Sequence, residues 1–251
     1  MTAAQYLSAL RDILARIERE QSEAIHKAGE AVAETIGKGG VAHTFGSGHS
    51  HMIAEEAFFR AGGLAAVNPI LDSRFVFLEG AMESTWTERE TGYAKRLVER
   101  EDVRAGDVAI IVSNSGRNAA PIEMAQEMHA RGVTVIAITN VKQSSQSTSR
   151  HASGKRLFEL ADIVIDNCIP EGDAVLPVPN SEQRIGPSST VAGAAIVNAI
   201  MIEAASTLQE AGMAVPLLPS VNLQSGSDDS VEALLERWAP RVRLLRTPKN
   251  S

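Results

Sequence analysis

The run Val108-Ala109-Ile110-Ile111-Val112 is apolar, mostly β-branched, and has no polar side of its own. A strand of this kind must be covered on both faces, the condition of a parallel sheet between helix layers. Four more segments read as strands: Val41 to Phe45, Ala65 to Ile70, Val133 to Thr139 and Asp162 to Asp166. Helical patterns separate the first four strands: Met52 to Ala61, Glu88 to Glu99 and Asn118 to Ala130. A short helix, Lys155 to Leu160, precedes the fifth strand, and an alanine-rich helix, Ser188 to Glu210, follows it. This alternation predicts an α/β fold, a three-layer α-β-α sandwich around a five-stranded parallel sheet. A long amphipathic helix from Ala3 to Ile36 comes first, with Leu7, Leu10, Leu14, Ile17, Ile25 and Val32 on one stripe. Gly37, Gly39 and Gly40 end it.

Open parallel sheets bind ligands beyond the C-terminal ends of their strands. Two of those ends carry chemistry. The third strand turns through Ser113-Asn114-Ser115-Gly116-Arg117-Asn118 into a helix. Ser113 and Ser115 offer hydroxyls, Gly116 permits close backbone approach, and the helix start offers free N–H groups. That is an anion cradle suited to a phosphate. The first strand runs into Gly46-Ser47-Gly48-His49-Ser50-His51, a second junction of the same design. Two long segments, Gln143 to Gly154 and Asn167 to Pro187, read as loops over the same edge.

Composition narrows the partners. Aromatic residues make up 4% of 251 residues and the net charge is −7, with no long basic stripe. A base-stacking or phosphate-tracking surface is therefore not expected, and nucleic acid is excluded as the main partner. Arg241, Arg243 and Arg246 read as a solvated end. The single cysteine, Cys168, allows no internal disulfide and reads as a core or rim residue. The charged N-terminal helix does not resemble a signal peptide, and no apolar run approaches a span of about 20 residues. A cytoplasmic protein without a membrane partner is the expectation.

The two junctions together resemble the SIS (sugar isomerase) domain family, whose signature is Gly-x-Gly-x-Ser after the first strand and Ser-x-Ser-Gly after the third. Here they stand as Gly46-Ser47-Gly48-His49-Ser50 and Ser113-Asn114-Ser115-Gly116. The resemblance runs from about Val41 to Glu210 and looks most like the stand-alone bacterial members related to phosphoheptose isomerases. It implies the flavodoxin-like SIS fold and a phosphorylated sugar as ligand. It divides the chain into a dimerisation helix (1–36), a phosphosugar-binding domain (37–212) and a C-terminal tail (213–251). It also implies a homodimer or homotetramer with shared sites. Carried over by position, the phosphate and sugar ligands are Ser113, Asn114, Ser115, Gly116 and Asn118, with Ser47, Gly48, His49 and Ser50. Family members have Thr where Asn118 stands; an amide can donate in its place.

A nucleotide-binding fingerprint would need a third glycine where His51 stands, so no cofactor is expected. Some phosphoheptose isomerases of the family carry zinc, but His49, His51 and Glu55 lack the spacing of a strong zinc motif, so no metal is expected either. Aldose–ketose isomerisation needs a base, and a carboxylate shielded from water is suitable. Glu55 and Glu56 open the helix after the first loop, and Glu56 is the expected base. His49, His51, Glu79 and His151 are the further acid–base candidates. Ser188 reads as an N-cap, and Ser189 and Thr190 as hydroxyls facing the cleft. Related isomerases carry Glu, Gln or His near there; this chain has only hydroxyls. The expected function is that of a sugar-phosphate isomerase in the metabolism of carbohydrate derivatives. The alternatives are a non-catalytic phosphosugar sensor and a phosphosugar etherase.

Overall fold

The computed structural model describes residues 1–220 and 228–246. Helix α1 spans Ala3–Gly37. The Thr2 hydroxyl accepts the Gln5 N–H at 3.2 Å and caps its start. Leu10, Ile13, Ile17, Ile25, Ala28, Val32 and Ile36 are buried at helical spacing, whereas Leu7 and Leu14 of the same stripe stay exposed. The sheet follows: β1 (Ala42–Gly46), β2 (Val67–Pro69), β3 (Val108–Val112), β4 (Thr134–Thr139) and β5 (Ile163–Asp166). Its order is β2-β1-β3-β4-β5, all parallel, with Ala42 beside Val108 and Val108 beside Thr134. The expected sandwich is therefore the observed one, with strand ends shifted by at most two residues.

Side chains of the strands alternate between two cores, as the pleat requires. Val108, Ile110 and Val112 face the core shared with α1 and with α7 (Ser189–Glu210). Ala109 and Ile111 face a second core built on the other side by α4 (Tyr93–Val98) and α5 (Ala119–His129). Burying an Ile or Val on either face contributes about 1.5–3 kcal/mol. Helix α7 is long and apolar enough to cross a membrane by length and composition, contrary to the reading that no run approached that length. Here Ala192, Ile196, Val197, Ile200 and Ala204 are buried in the core.

Four segments differ from expectation. The helix after β1, α2, covers only His51–Glu56. Of the span expected as one helix from Glu88 to Glu99, only α4 is helical; α3 (Ala81–Thr87) precedes that span, and a turn joins the two. Gly92 takes a left-handed φ of 81° there, which costs other residues strain, and its N–H donates to the Glu123 carboxylate. The break leaves Glu88 in a turn rather than on a helix face. The two expected loops also contain structure: α6 (Val141–Gln146) in one, and an antiparallel ribbon of β6 (Ala174–Pro177) and β7 (Arg184–Pro187) in the other.

The segment after α7 returns to the domain. Gly62 and Ala65 donate backbone hydrogen bonds to Leu218 and Pro216, and Leu64 bridges Leu217. Beyond α8 (Asp228–Trp238), Val242 and Leu245 are buried, as is Trp238 itself. The basic run here is not a free end. Arg241 pairs with Asp107 at 2.7 Å and with Asp102 at 3.1 Å, and Arg243 pairs with Glu101 at 2.8 Å. The acids gather at the N-terminal edge of the sheet, where their buried charge requires partners.

Candidate functional site

At the opposite edge, the C-terminal ends of β1 and β3 open into a cavity of about 490 Å³. That volume suits a small ligand. Ser47, Gly48, His49 and Ser50 form one wall, and Ser113, Asn114 and Ser115 another. Glu88, Gln143, Gly172, Asp173, Pro187, Ser189 and Thr190 complete the lining.

The second loop is built to hold its shape. Gly116 adopts φ of 56°, and a Cβ there would meet Ser144 Oγ at 3.0 Å and Leu157 Cβ at 3.2 Å. Its N–H donates to Ser113 Oγ at 3.2 Å. The Asn114 carbonyl accepts from Asn140 N–H at 3.1 Å, and its Oδ1 accepts from Asn167 at 2.7 Å. Helix α5 starts at this loop, and Asn118, its N-cap residue, makes no side-chain capping hydrogen bond. The start of α7 differs. There Asp173 accepts from Ser188 N–H at 2.8 Å and Ser189 N–H at 2.6 Å, and Ser189 Oγ donates to it at 2.8 Å. The Ser188 hydroxyl, expected as the cap, instead donates to Asp173. A carboxylate of the chain thus already neutralises the α7 dipole, which directs an incoming anion to α5.

Ser47 Oγ donates to Glu88 Oε1 at 2.9 Å, so the first loop orients a half-buried carboxylate in the lining of the cavity. Glu88 was not among the expected acid–base groups, nor were Gln143 and Asp173 among the expected lining residues. The glycine at position 92 inside a helical pattern was the available signal for Glu88, because it forecasts the break that frees this residue.

The expected residues divide. Ser47, Gly48, His49, Ser50, Ser113, Asn114, Ser115, Ser189 and Thr190 come together on the cavity. Glu56, the expected base, does not: its Oε1 accepts from Asn198 of α7 at 2.9 Å and pairs with Arg60. The helix rotation that buries Ile53 and Ala54 aims Glu56 at α7 instead of the cleft. His51 is buried and bonds through Nδ1 to the Gly48 carbonyl, which holds the first loop from below. Glu79 is exposed outside the lining and accepts from Ser73. His151 bonds Ser153 at 2.8 Å and faces Glu123 at 3.6 Å. Asn118 accepts from Arg150 Nη1 at 3.1 Å through its side chain, and Gly116 shapes the turn without lining the cavity. Burial, with Asp166 adding to it, pushes the Cys168 thiol up to about 11, so it is a poor nucleophile. Among the described residues no three His, Cys, Asp or Glu side chains gather where they could hold a metal.

Comparison with known proteins gives the same frame. The family model for the SIS domain matches residues 5–140, a span that contains both loops. A UPF0309 protein of Listeria innocua is 42% identical over 240 residues, 96% of this chain and 97% of that protein. A UPF0309 protein of Caldanaerobacter subterraneus is 41% identical over 243 residues, covering 96% and 98%. The solved phosphoheptose isomerase of Neisseria gonorrhoeae is 19% identical, with 81% of this chain and 96% of that one aligned at a TM-score of 0.50, a likeness of fold. Matched by the family model across more than half of its length, through the two loops that wall the cavity, this chain belongs to the SIS domain family.

Proposed function

We propose that the protein binds a phosphorylated sugar in this cavity and isomerises it between aldose and ketose, acting in the cytoplasm. One observation carries the reading: a carboxylate, Glu88, is held by Ser47 in the lining of a sugar-sized cavity that the hydroxyl-bearing loop at the start of α5 also lines. The phosphate sits on Ser113, Ser115 and the first N–H groups of α5, and the open-chain carbons then reach towards Glu88. Glu88 removes the proton on the carbon next to the carbonyl, and the electron pair moves to the carbonyl oxygen to give an enediolate. A proton passes between the two oxygens, with His49 the cavity-lining group suited to carry it. Glu88 returns its proton to the neighbouring carbon. No co-reactant is consumed.

A panel of hexose, amino-sugar and heptose phosphates, followed by NMR, tests this. Interconversion of one member supports the reading. Tight binding without turnover of any member replaces it with a sensor, and loss of lactate from a lactyl-ether phosphosugar replaces it with an etherase. Phosphate recognition has its own test. Ser115→Ala removes one hydroxyl and should weaken phosphosugar affinity roughly tenfold, as expected for a hydrogen bond to a charged group, with the melting temperature nearly unchanged. Unchanged affinity refutes the cradle.

We also propose a homodimer or larger assembly. Leu7 and Leu14 on α1, Val191 and Ile202 on α7 and Ile185 on β7 are exposed large apolar side chains on adjoining elements. Light scattering at micromolar concentration should return a multiple of 26.8 kDa. A monomer mass rejects the assembly.

A further inference from the structure

Three arginines stand together beside the phosphate loop. They come from three separate segments that backbone hydrogen bonds tie to one another. Arg150 N–H donates to the Arg117 carbonyl at 2.8 Å, and Ala120 N–H donates to the Glu88 carbonyl at 3.0 Å, which fixes residues 88–89 against the start of α5. Arg150 Nη1 also holds Asn118 at 3.1 Å. Among the described residues no carboxylate lies within 4.0 Å of the guanidinium group of Arg89, Arg117 or Arg150. The Nε of Arg117 is buried and has no hydrogen-bond partner.

That arrangement is unfavourable as it stands. Like charges at short range repel, and a buried guanidinium nitrogen without an acceptor forfeits its hydration. Partial desolvation, then the charges of Arg117 and Arg89, push the Arg150 guanidinium below its ordinary value. Acidic side chains are not scarce in this chain: Asp and Glu number 31 against 24 Lys and Arg. Elsewhere they are spent on arginines, with Arg74 held between Glu83 and Glu90 and Arg241 between Asp102 and Asp107. The cluster is also adjacent to the site at two points. Arg89 follows the cavity-lining Glu88, and Arg117 lies two residues after the cavity-lining Ser115. Guanidinium forks match the planar oxygens of carboxylate and phosphate.

We propose that Arg89, Arg117 and Arg150 form a second anion subsite that takes a second acidic group, a carboxylate or a phosphate, on the sugar phosphate bound at the Ser113–Ser115 loop. This rests on the phosphosugar reading above and narrows the substrate class to sugars with two anionic ends.

Calorimetric titration with four probes tests it: inorganic phosphate, a hexose monophosphate, a hexose bisphosphate and a phosphorylated aldonic acid. The two doubly anionic probes should bind at least about tenfold tighter than the monophosphate, the effect of added charge-assisted hydrogen bonds. The double variant Arg89→Gln, Arg117→Gln should erase that preference. Arg150→Gln should reduce it as well; this side chain is exposed, so its loss spares the fold. Ser115→Ala should weaken all three sugar probes alike. Equal affinity for singly and doubly anionic probes, or a preference that survives the arginine variants, overturns the subsite. If no sugar phosphate binds, the phosphosugar reading fails and inorganic phosphate decides for the arginines alone. Binding of phosphate that is lost in Arg150→Gln and kept in Ser115→Ala supports the anion site; phosphate that does not bind, or is indifferent to the arginines, overturns it. A change in oligomer mass without a change in anion affinity also overturns it, and assigns the arginines to acids of a second copy.

Discussion

Glu88→Gln is expected to lower turnover of a phosphosugar substrate by at least about a hundredfold, within the usual contribution of acid–base catalysis. The amide keeps the shape of the side chain and can still accept the Ser47 hydroxyl that orients Glu88 at 2.9 Å. What it loses is the proton acceptor. KM should change little, because Ser113, Ser115 and the start of α5 still hold the phosphate. Glu56→Gln is the matched control. Glu56 pairs with Arg60 and accepts from Asn198 away from the cavity, so turnover should stay within roughly twofold and only a surface-pair increment of about 0.3–0.5 kcal/mol in stability is at stake. Steady-state kinetics on both variants decide. If Glu56→Gln abolishes turnover and Glu88→Gln does not, the proton acceptor is on α2.

Asp107→Ala is expected to destabilise the fold by about 3–5 kcal/mol, the cost of leaving buried partner charges uncompensated. Asp107 is almost fully buried before β3. It accepts from Val41 N–H at 3.0 Å, His43 Nε2 at 3.1 Å, Arg104 N–H at 2.8 Å and Arg241 at 2.7 Å. Burial by itself would raise its pKa, but the hydrogen bonds from His43 and the two backbone N–H groups outweigh it and hold the carboxyl below the ordinary range. The sign for stability follows. The unfolded chain takes up the proton first, at an ordinary aspartate pKa of about 3.9. The contribution is therefore complete above that pH and is lost as the pH falls through the lower, folded value. Urea denaturation between about pH 3 and pH 7 should show the wild type losing stability steeply at the acid end. Asp107→Asn should start lower and show a flatter acid limb. Equal slopes in the two proteins would refute this account of Asp107.

The same two regions show how far the residues alone could be read. The five strands were legible because short β-branched runs between helical patterns are a local property of the backbone, and burial on two faces leaves them one architecture. Ser113 to Gly116 and Gly46 to Ser50 were legible for the same reason: a strand that turns through glycine and hydroxyl residues into a helix makes its cradle from neighbours in sequence. Glu88 was hidden by a helical pattern that Gly92 interrupts. Glu56 was misplaced because a helix of six residues presents little periodicity from which to read its facing direction.

Arg241 and Asp107, 134 residues apart, and Asn114 and Asn167, 53 apart, were beyond reach of any pattern. Such pairs form only when whole elements pack and one edge of the sheet gathers side chains from distant segments. The sequence by itself determined the layers, the strand directions and the two strand–turn–helix junctions that line the cavity, since backbone preference and burial act over a few residues. The tertiary structure alone decided which carboxylate faces the cavity, which carboxylate caps α7, and which arginines are left without partners. Those outcomes depend on the rotation of each helix and on where the loops cross, and long-range packing sets both.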